Sequence, residues 1–122
     1  MKNLFVYGTL KAGFCRHIHL ATARFVGNGT IRGVLYDFGE YPGAWLSDHG
    51  EIKGELYELE SDDFTTLDQI EGFDSQHPGE GLFYRTLTKV QIAGARLADA
   101  WVYVLHAAPI KTPVIVDGNY QG

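Results

Sequence analysis

Short apolar runs broken by glycine set the limits on what this chain can become: 15 of its 122 residues are glycine. Asn3-Leu-Phe-Val-Tyr7 is compact and rich in strand formers, and Gly8 ends it. Residues 30–38 and 51–59 follow, sharing the pattern Gly33-Val-Leu-Tyr and Gly54-Glu-Leu-Tyr. We read the similarity as two neighbouring strands in like environments rather than as a repeat. A glycine inside each run predicts a bulge or tight bend, as small barrels require. Pro42-Gly43 predicts the turn between the two. Residues 82–92 and 98–105 complete the set, with Gly94 marking the turn of a hairpin. Beyond Pro109 the tail, with Pro113 and Asp117-Gly118, follows no pattern.

Two segments read as helical. Residues 16–23 are weakly marked, whereas residues 61–71 carry several signals. Ser61 suits an N-cap, Asp62 and Asp63 favour the positive end of the helix dipole, and Gly72 stands where a terminating glycine belongs. Phe64, Leu67 and Ile70 are spaced three apart and form one apolar stripe. The expectation is an α+β chain: a small mixed β-barrel or strongly curved sheet with flanking helices, one domain over residues 1–122.

Glu71 breaks the helix's own rules. At about 100° per residue it falls between Leu67 and Phe64, along the stripe that should be buried. It also lies in the last turn, where a negative charge opposes the dipole. Both effects predict a pKa above the usual glutamate value of about 4.3, which marks a candidate functional group. A frayed last turn would instead release Glu71 to solvent. Asp68, off the stripe, reads as an ordinary surface acid, and Asp63 as a dipole partner.

Charge and composition narrow the function classes. The chain carries 15 acids against 10 bases, a formal net of −5, with nine acids between Glu51 and Asp74 and Lys53 the only base among them. No basic cluster can displace counterions from phosphates, so nucleic acid is excluded as a partner. Apart from Glu71, the acidic stretch reads as a solvated face. No apolar run approaches the roughly 18 residues of a membrane span, and the start of the chain carries no secretory leader pattern. The single cysteine, Cys15, forms no internal bridge and reads as a small hydrophobe. A cytoplasmic setting is the expectation.

The loop after the first run is Tyr7-Gly-Thr-Leu-Lys-Ala-Gly13. Gly8 and Gly13 match the outer glycines of a phosphate-binding P-loop, but Phe14-Cys15 replaces the required Lys-Ser/Thr, so Walker-type nucleotide binding is rejected. What remains is a glycine turn whose N–H groups can cradle a carboxylate, a developing oxyanion or no ligand at all. Other constellations are weaker. His17 and His19 lack a third ligand at sensible spacing, so no metal site is expected. Arg85, inside an apolar strand, is either a paired structural charge or a carboxylate contact. Tyr84 and Tyr103 fit a pocket wall and core packing equally.

Tyr7-Gly-Thr-Leu-Lys11 after an N-terminal strand resembles the opening motif of γ-glutamylcyclotransferase-like proteins, a family that includes the γ-glutamylamine cyclotransferases and AIG2-like proteins. Tyr41-Pro-Gly-Ala44, Gly54-Glu-Leu-Tyr57, Leu67-Asp-Gln-Ile-Glu-Gly72 and Tyr84-Arg85 agree in order, so the resemblance covers residues 3–105. It implies a small barrel with flanking helices and places the catalytic proton acceptor at Glu71. It implies substrate binding by Tyr7, Gly8, Thr9 and Leu10. The implied reaction needs no cofactor: the α-amino group of a γ-glutamyl amine or peptide attacks its own γ-carbonyl, releasing an amine as 5-oxoproline closes. The implied partner is that small substrate alone, on a monomer or weak homo-oligomer. Removal of a γ-glutamyl protecting group during biosynthesis would use the same chemistry. A sensor using the same cavity without turnover is the alternative. The glycine-rich segment from Gly72 to Gly81 lies beside the base, where a lid would sit.

Overall fold

The computed structural model describes residues 2–14, 16–60, 63–74, 76–77, 79, 81–93 and 96–121. Its strands are β1 (Lys2–Val6), β2 (Arg24–Asp37), β3 (Pro42–Leu59), β4 (Phe83–Ile92) and β5 (Arg96–Leu105), and α1 (Asp63–Glu71) follows β3. They close into a barrel in the order β1-β3-β2-β4-β5. The barrel is mixed, because β1 runs antiparallel to β3 but parallel to β5. Two seams are thin: β1 meets β5 at Leu4↔Trp101, and β2 meets β4 at Gly29↔Ile92 and Thr30↔Gln91. The α+β expectation holds in this form. No helix among the described residues is long and apolar enough to cross a membrane.

Alternation along β1 and β5 explains why both read as unbroken apolar runs, since each face of these strands is covered. Phe5, Val102 and Val104 point into the barrel, where they pack with Ile31, Leu35, Ile52 and Leu56. Leu4, Val6, Tyr103 and Leu105 point outward and are covered by Phe64, Leu67 and Leu20. Helix α1 therefore lies against the outside of the barrel, over β1 and β5.

β2 and β3 pair as neighbours, as their shared Gly-x-Leu-Tyr pattern predicts, but both are longer than expected. The register shifts between Arg32 and Gly33, where Arg32 faces Glu51 and Gly33 faces Leu46, so residues 47–50 bulge from the ladder. Gly54 serves a different need: a Cβ there would strike the Val6 carbonyl and the Phe5 ring. The Pro42-Gly43 expectation is wrong. Both residues lie in β3, facing Asp37 and Tyr36, because proline is tolerated as the first residue of a strand. The turn sits just before them, where Phe38 donates to the Tyr41 carbonyl (3.0 Å) and Gly39 takes a φ of 94°.

The predicted helix over residues 16–23 is a 3-10 helix, His17–Leu20. Its flanking bonds span three residues, as from His19 to Arg16 and from Ala21 to Ile18, and Arg24 already begins β2, which leaves no length for an α-helix. The hairpin of β4 and β5 forms with Phe83↔Leu105 and Ile92↔Arg96 as its outer pairs. The Gly94 turn, the Ser61 cap, Asp62 and Cys15 lie outside the described residues. The tail is ordered against the barrel: Ile115 donates to Leu35 (2.7 Å), Lys53 donates to Gly118 (2.8 Å), and Tyr120 is buried in the barrel core.

Candidate active site

Helix α1 ends where the site begins. Phe64 and Leu67 are 4% and 1% exposed, and they seat the helix on the barrel. Its C-terminus is closed by two backbone bonds, Gly72 to Gln69 (3.2 Å) and Phe73 to Asp68 (2.8 Å), with Gly72 at a φ of 72°. This is a Schellman cap, which a left-handed glycine permits. The last turn is therefore held rather than frayed, and Glu71 is half-buried on the wall of a cavity of about 340 Å³. Burial pushes the Glu71 carboxyl above its ordinary value, and the Arg16 charge works against that rise. Among the described residues no donor is hydrogen-bonded to its carboxylate.

The loop after β1 lines the same cavity. Lys11 donates to the Gly8 carbonyl (3.0 Å), closing a turn, and Arg16 donates from its backbone to Thr9 (2.9 Å), folding the chain back beside it. His17 Nδ1 donates to the Leu10 carbonyl (2.9 Å) and braces the same loop. Gly8 lies against Pro42, whose Cγ would stand 2.7 Å from any added Cβ. The amides of Gly8, Thr9 and Leu10 make no hydrogen bond to other described residues, although all three residues line the cavity. Tyr7 contributes wall and backbone, but its hydroxyl is engaged: it donates to the Tyr103 carbonyl (2.6 Å) and accepts from Ala44 N–H (3.2 Å). Burial raises the pKa of this phenol, with the Glu71 charge adding to the rise.

All five residues singled out from the sequence thus line one cavity: Tyr7, Gly8, Thr9 and Leu10 from the loop, Glu71 from the helix. Gly72 and Gly81, the ends of the glycine-rich segment, line it too, as do Tyr41, Ile70, Leu82 and Phe83, which give it an apolar side. Sequence reasoning missed Arg16, taking it as the start of a helix. No motif marks it, because its place depends on the backbone bond to Thr9. Tyr103 proves to belong to wall and core at once, whereas Tyr84 stacks on His106, 4.8 Å between ring centroids.

Asp68 is not a surface acid. Arg85 grips it with Nε (3.0 Å) and Nη2 (3.2 Å), and the Tyr103 hydroxyl donates to Oδ1 (2.6 Å). The two charged side chains are only 17% and 14% exposed. The Arg85 guanidinium lies between the rings of Phe64 and Trp101, 4.6 and 4.8 Å from their centroids. Arg85 is therefore the paired structural charge of the two options. Helical phase could not reveal this, because Arg85 and Tyr103 come from strands 17 and 35 residues further on. Two other acids of the supposed solvated face are also engaged: Glu55 accepts from Ala12 N–H and the Tyr57 hydroxyl, and Glu58 pairs with Arg24. The network Arg85–Asp68–Tyr103–Tyr7–Ala44 runs from helix to loop wall and fixes Glu71, one turn beyond Asp68, relative to the loop.

The arrangement places a desolvated carboxylate in one small cavity with residues whose backbone donors are unused among the described residues. It can take a proton from a bound ligand on one side and hold an oxyanion or carboxylate on the other. A family model described as gamma-glutamyl cyclotransferase, AIG2-like matches residues 4–122. The gamma-L-glutamyl-butirosin B gamma-glutamyl cyclotransferase of Niallia circulans is 33% identical over 106 residues, 85% of this chain and 67% of that protein. An AIG2-like protein from Mus musculus has a similar structure, with a TM-score of 0.80, 26% identity and coverage of 99% of this chain and 88% of that one. YkqA of Bacillus subtilis shares the fold at a TM-score of 0.76 and 24% identity, with 98% of this chain and 39% of that one covered. The chain spans 67%, 60% and 56% of the lengths of three curated relatives that it matches.

Proposed function

The chain belongs to the gamma-glutamyl cyclotransferase, AIG2-like family, and on that premise we propose that its cavity catalyses 5-oxoproline formation from a γ-glutamyl amine or peptide, with Glu71 as general base and acid. The carrying observation is that Glu71, half-buried and with its pKa raised by burial, lines one cavity with Gly8, Thr9 and Leu10, whose amides make no hydrogen bond to other described residues. Residues 1–122 act as one catalytic domain in this reading.

The nucleophile and the electrophile belong to one molecule, so the site must fold the substrate until the two meet. It must also deprotonate an α-ammonium whose pKa is about 8 or higher. Glu71 takes that proton, and the neutral amine attacks the γ-carbonyl carbon, forming the ring C–N bond. The loop amides hold the oxyanion that develops. The intermediate collapses, breaking the bond to the departing nitrogen as Glu71 returns its proton there. Of the three ammonium protons, one stays on the lactam nitrogen and two leave with the amine. Glu71 carries them one at a time and ends as it began, so no external acid is consumed.

The test is release of 5-oxoproline from a panel of γ-glutamyl amines, γ-glutamyl dipeptides and glutathione. The Niallia circulans relative is named for a γ-L-glutamyl conjugate of butirosin B, so conjugates of larger amines belong in the panel. Glu71→Gln is expected to lower kcat by about 10²–10⁴ with its circular dichroism unchanged. Undiminished turnover in that variant removes Glu71 from the mechanism. Tight binding by the wild type without turnover of any panel member supports a sensor instead.

A further inference from the structure

We propose that Arg16 holds the α-carboxylate of the γ-glutamyl unit and so turns the α-amine toward Glu71. This rests on the cyclotransferase reading and assigns one end of the same site. Among the described residues, Arg16 is the only lysine or arginine on the cavity wall, as Glu71 is the only carboxylate. Its backbone is fixed to Thr9, and its side chain is half-buried, with no hydrogen bond, ion pair or ring contact among the described residues. Arg24, Arg32 and Arg85, by contrast, each have a partner in Glu58, the Asp48 carbonyl and Asp68.

A half-buried guanidinium loses part of its hydration and gains most from an acceptor matching its planar fork. Glu71 shares the cavity and acts on Arg16 through space, yet the two form no ion pair. A γ-glutamyl substrate supplies what each lacks: its α-carbon bears a carboxylate for Arg16 and an ammonium for Glu71. The assignment also divides labour within the cavity. With the α-carboxylate on Arg16, the loop amides are left to the oxyanion at the γ-carbonyl. Binding then prepares the base, because a carboxylate on Arg16 neutralises the charge that holds down the proton affinity of Glu71. The substrate class this selects is γ-glutamyl compounds with a free α-carboxylate.

Calorimetric binding of 5-oxoproline and of its carboxamide, to wild type and to Arg16→Gln, tests the assignment without needing turnover. Wild type is expected to bind the acid about 10–100-fold more tightly than the carboxamide, the range for losing charge-assisted hydrogen bonds. In Arg16→Gln that preference should fall to within about twofold, while Arg16→Lys should keep part of it. In kinetics, Arg16→Gln should raise KM for a donor with a free α-carboxylate and leave KM for its α-carboxamide analogue unchanged. The proposal is overturned if Arg16→Gln weakens acid and carboxamide alike, if it alters neither, or if wild type binds neither. An Arg16-dependent preference without turnover of any donor would sink the catalytic reading alone. Turnover with the preference intact in Arg16→Gln would sink only the role of Arg16.

Discussion

Glu71 and Asp68 stand one helical turn apart and meet opposite electrostatic surroundings. Asp68 is compensated by the Arg85 fork and the Tyr103 hydroxyl, whereas Glu71 meets an open cavity and an arginine that does not reach it. The pH dependence follows from the sign of the Glu71 shift. A base with a raised pKa is lost earlier as pH falls, so the acid limb of kcat/KM should lie above the usual carboxylate value of 4.5. Burial, helped by the Glu71 charge, raises the Tyr7 and Tyr103 phenols and keeps them neutral through this range. Stability carries the opposite sign. A carboxyl that binds its proton more tightly folded than unfolded favours the fold at low pH, and that advantage is lost as pH rises through the folded pKa. Glu71→Gln should therefore melt higher than wild type at neutral pH, the difference closing in acid. A variant that melts lower at pH 7 would mean that the carboxylate stabilises the fold. Helical phase was enough to single out Glu71. It could not single out Asp68, because the partners that bury it are remote in sequence.

Helix α1 and the loop after β1 are held in register by two glycines with different requirements. Gly72 has a φ of 72° but open space around an added Cβ, whereas Gly8 has no room against Pro42. Gly72→Ala should thus cost about 1 kcal/mol from left-handed backbone strain alone, read as a shift in the denaturation midpoint. Gly8→Ala should displace either the loop or Pro42 and lose activity at a much smaller stability change than the loss in kcat/KM implies. Equal activity in Gly8→Ala and wild type would show that the loop tolerates that displacement. At this scale the sequence was most legible where a signal is local. The Gly72 stop, the Gly33 bulge and the apolar stripe of α1 could all be read. Pro42-Gly43 misled because a turn dipeptide also suits the first residues of a strand, and the choice was made by pairing with Asp37 and Tyr36.

The barrel as a whole is finished by a tail that follows no sequence pattern. It runs from the edge of β2, where Ile115 and Pro113 bond Leu35 and Asp37, to β3 at Lys53. Tyr120 then enters the core, its hydroxyl donating to the Glu40 carbonyl (3.1 Å). Lys11, only 6% exposed, fastens this end by donating to Asn119 Oδ1 (3.1 Å) and the Tyr120 carbonyl (2.8 Å). The loop that carries the site and the end of the chain are therefore one structural unit. Tyr120→Ala should cost about 3–5 kcal/mol, as for other buried aromatics, and loosen the loop through Lys11. Its denaturant midpoint should fall accordingly, and a change below about 1 kcal/mol would mean that the tail merely lies on the surface. What the sequence by itself determined is what short-range chemistry carries: the main strands, helix α1 and its stop after Glu71, the turn at Gly8 and the odd orientation of one glutamate. Only the tertiary structure decided that the loop and Glu71 share a cavity, that Arg16 joins them, and that Asp68 is buried by Arg85. Those outcomes depend on barrel closure, which brings together residues too far apart in the chain for any local pattern to link.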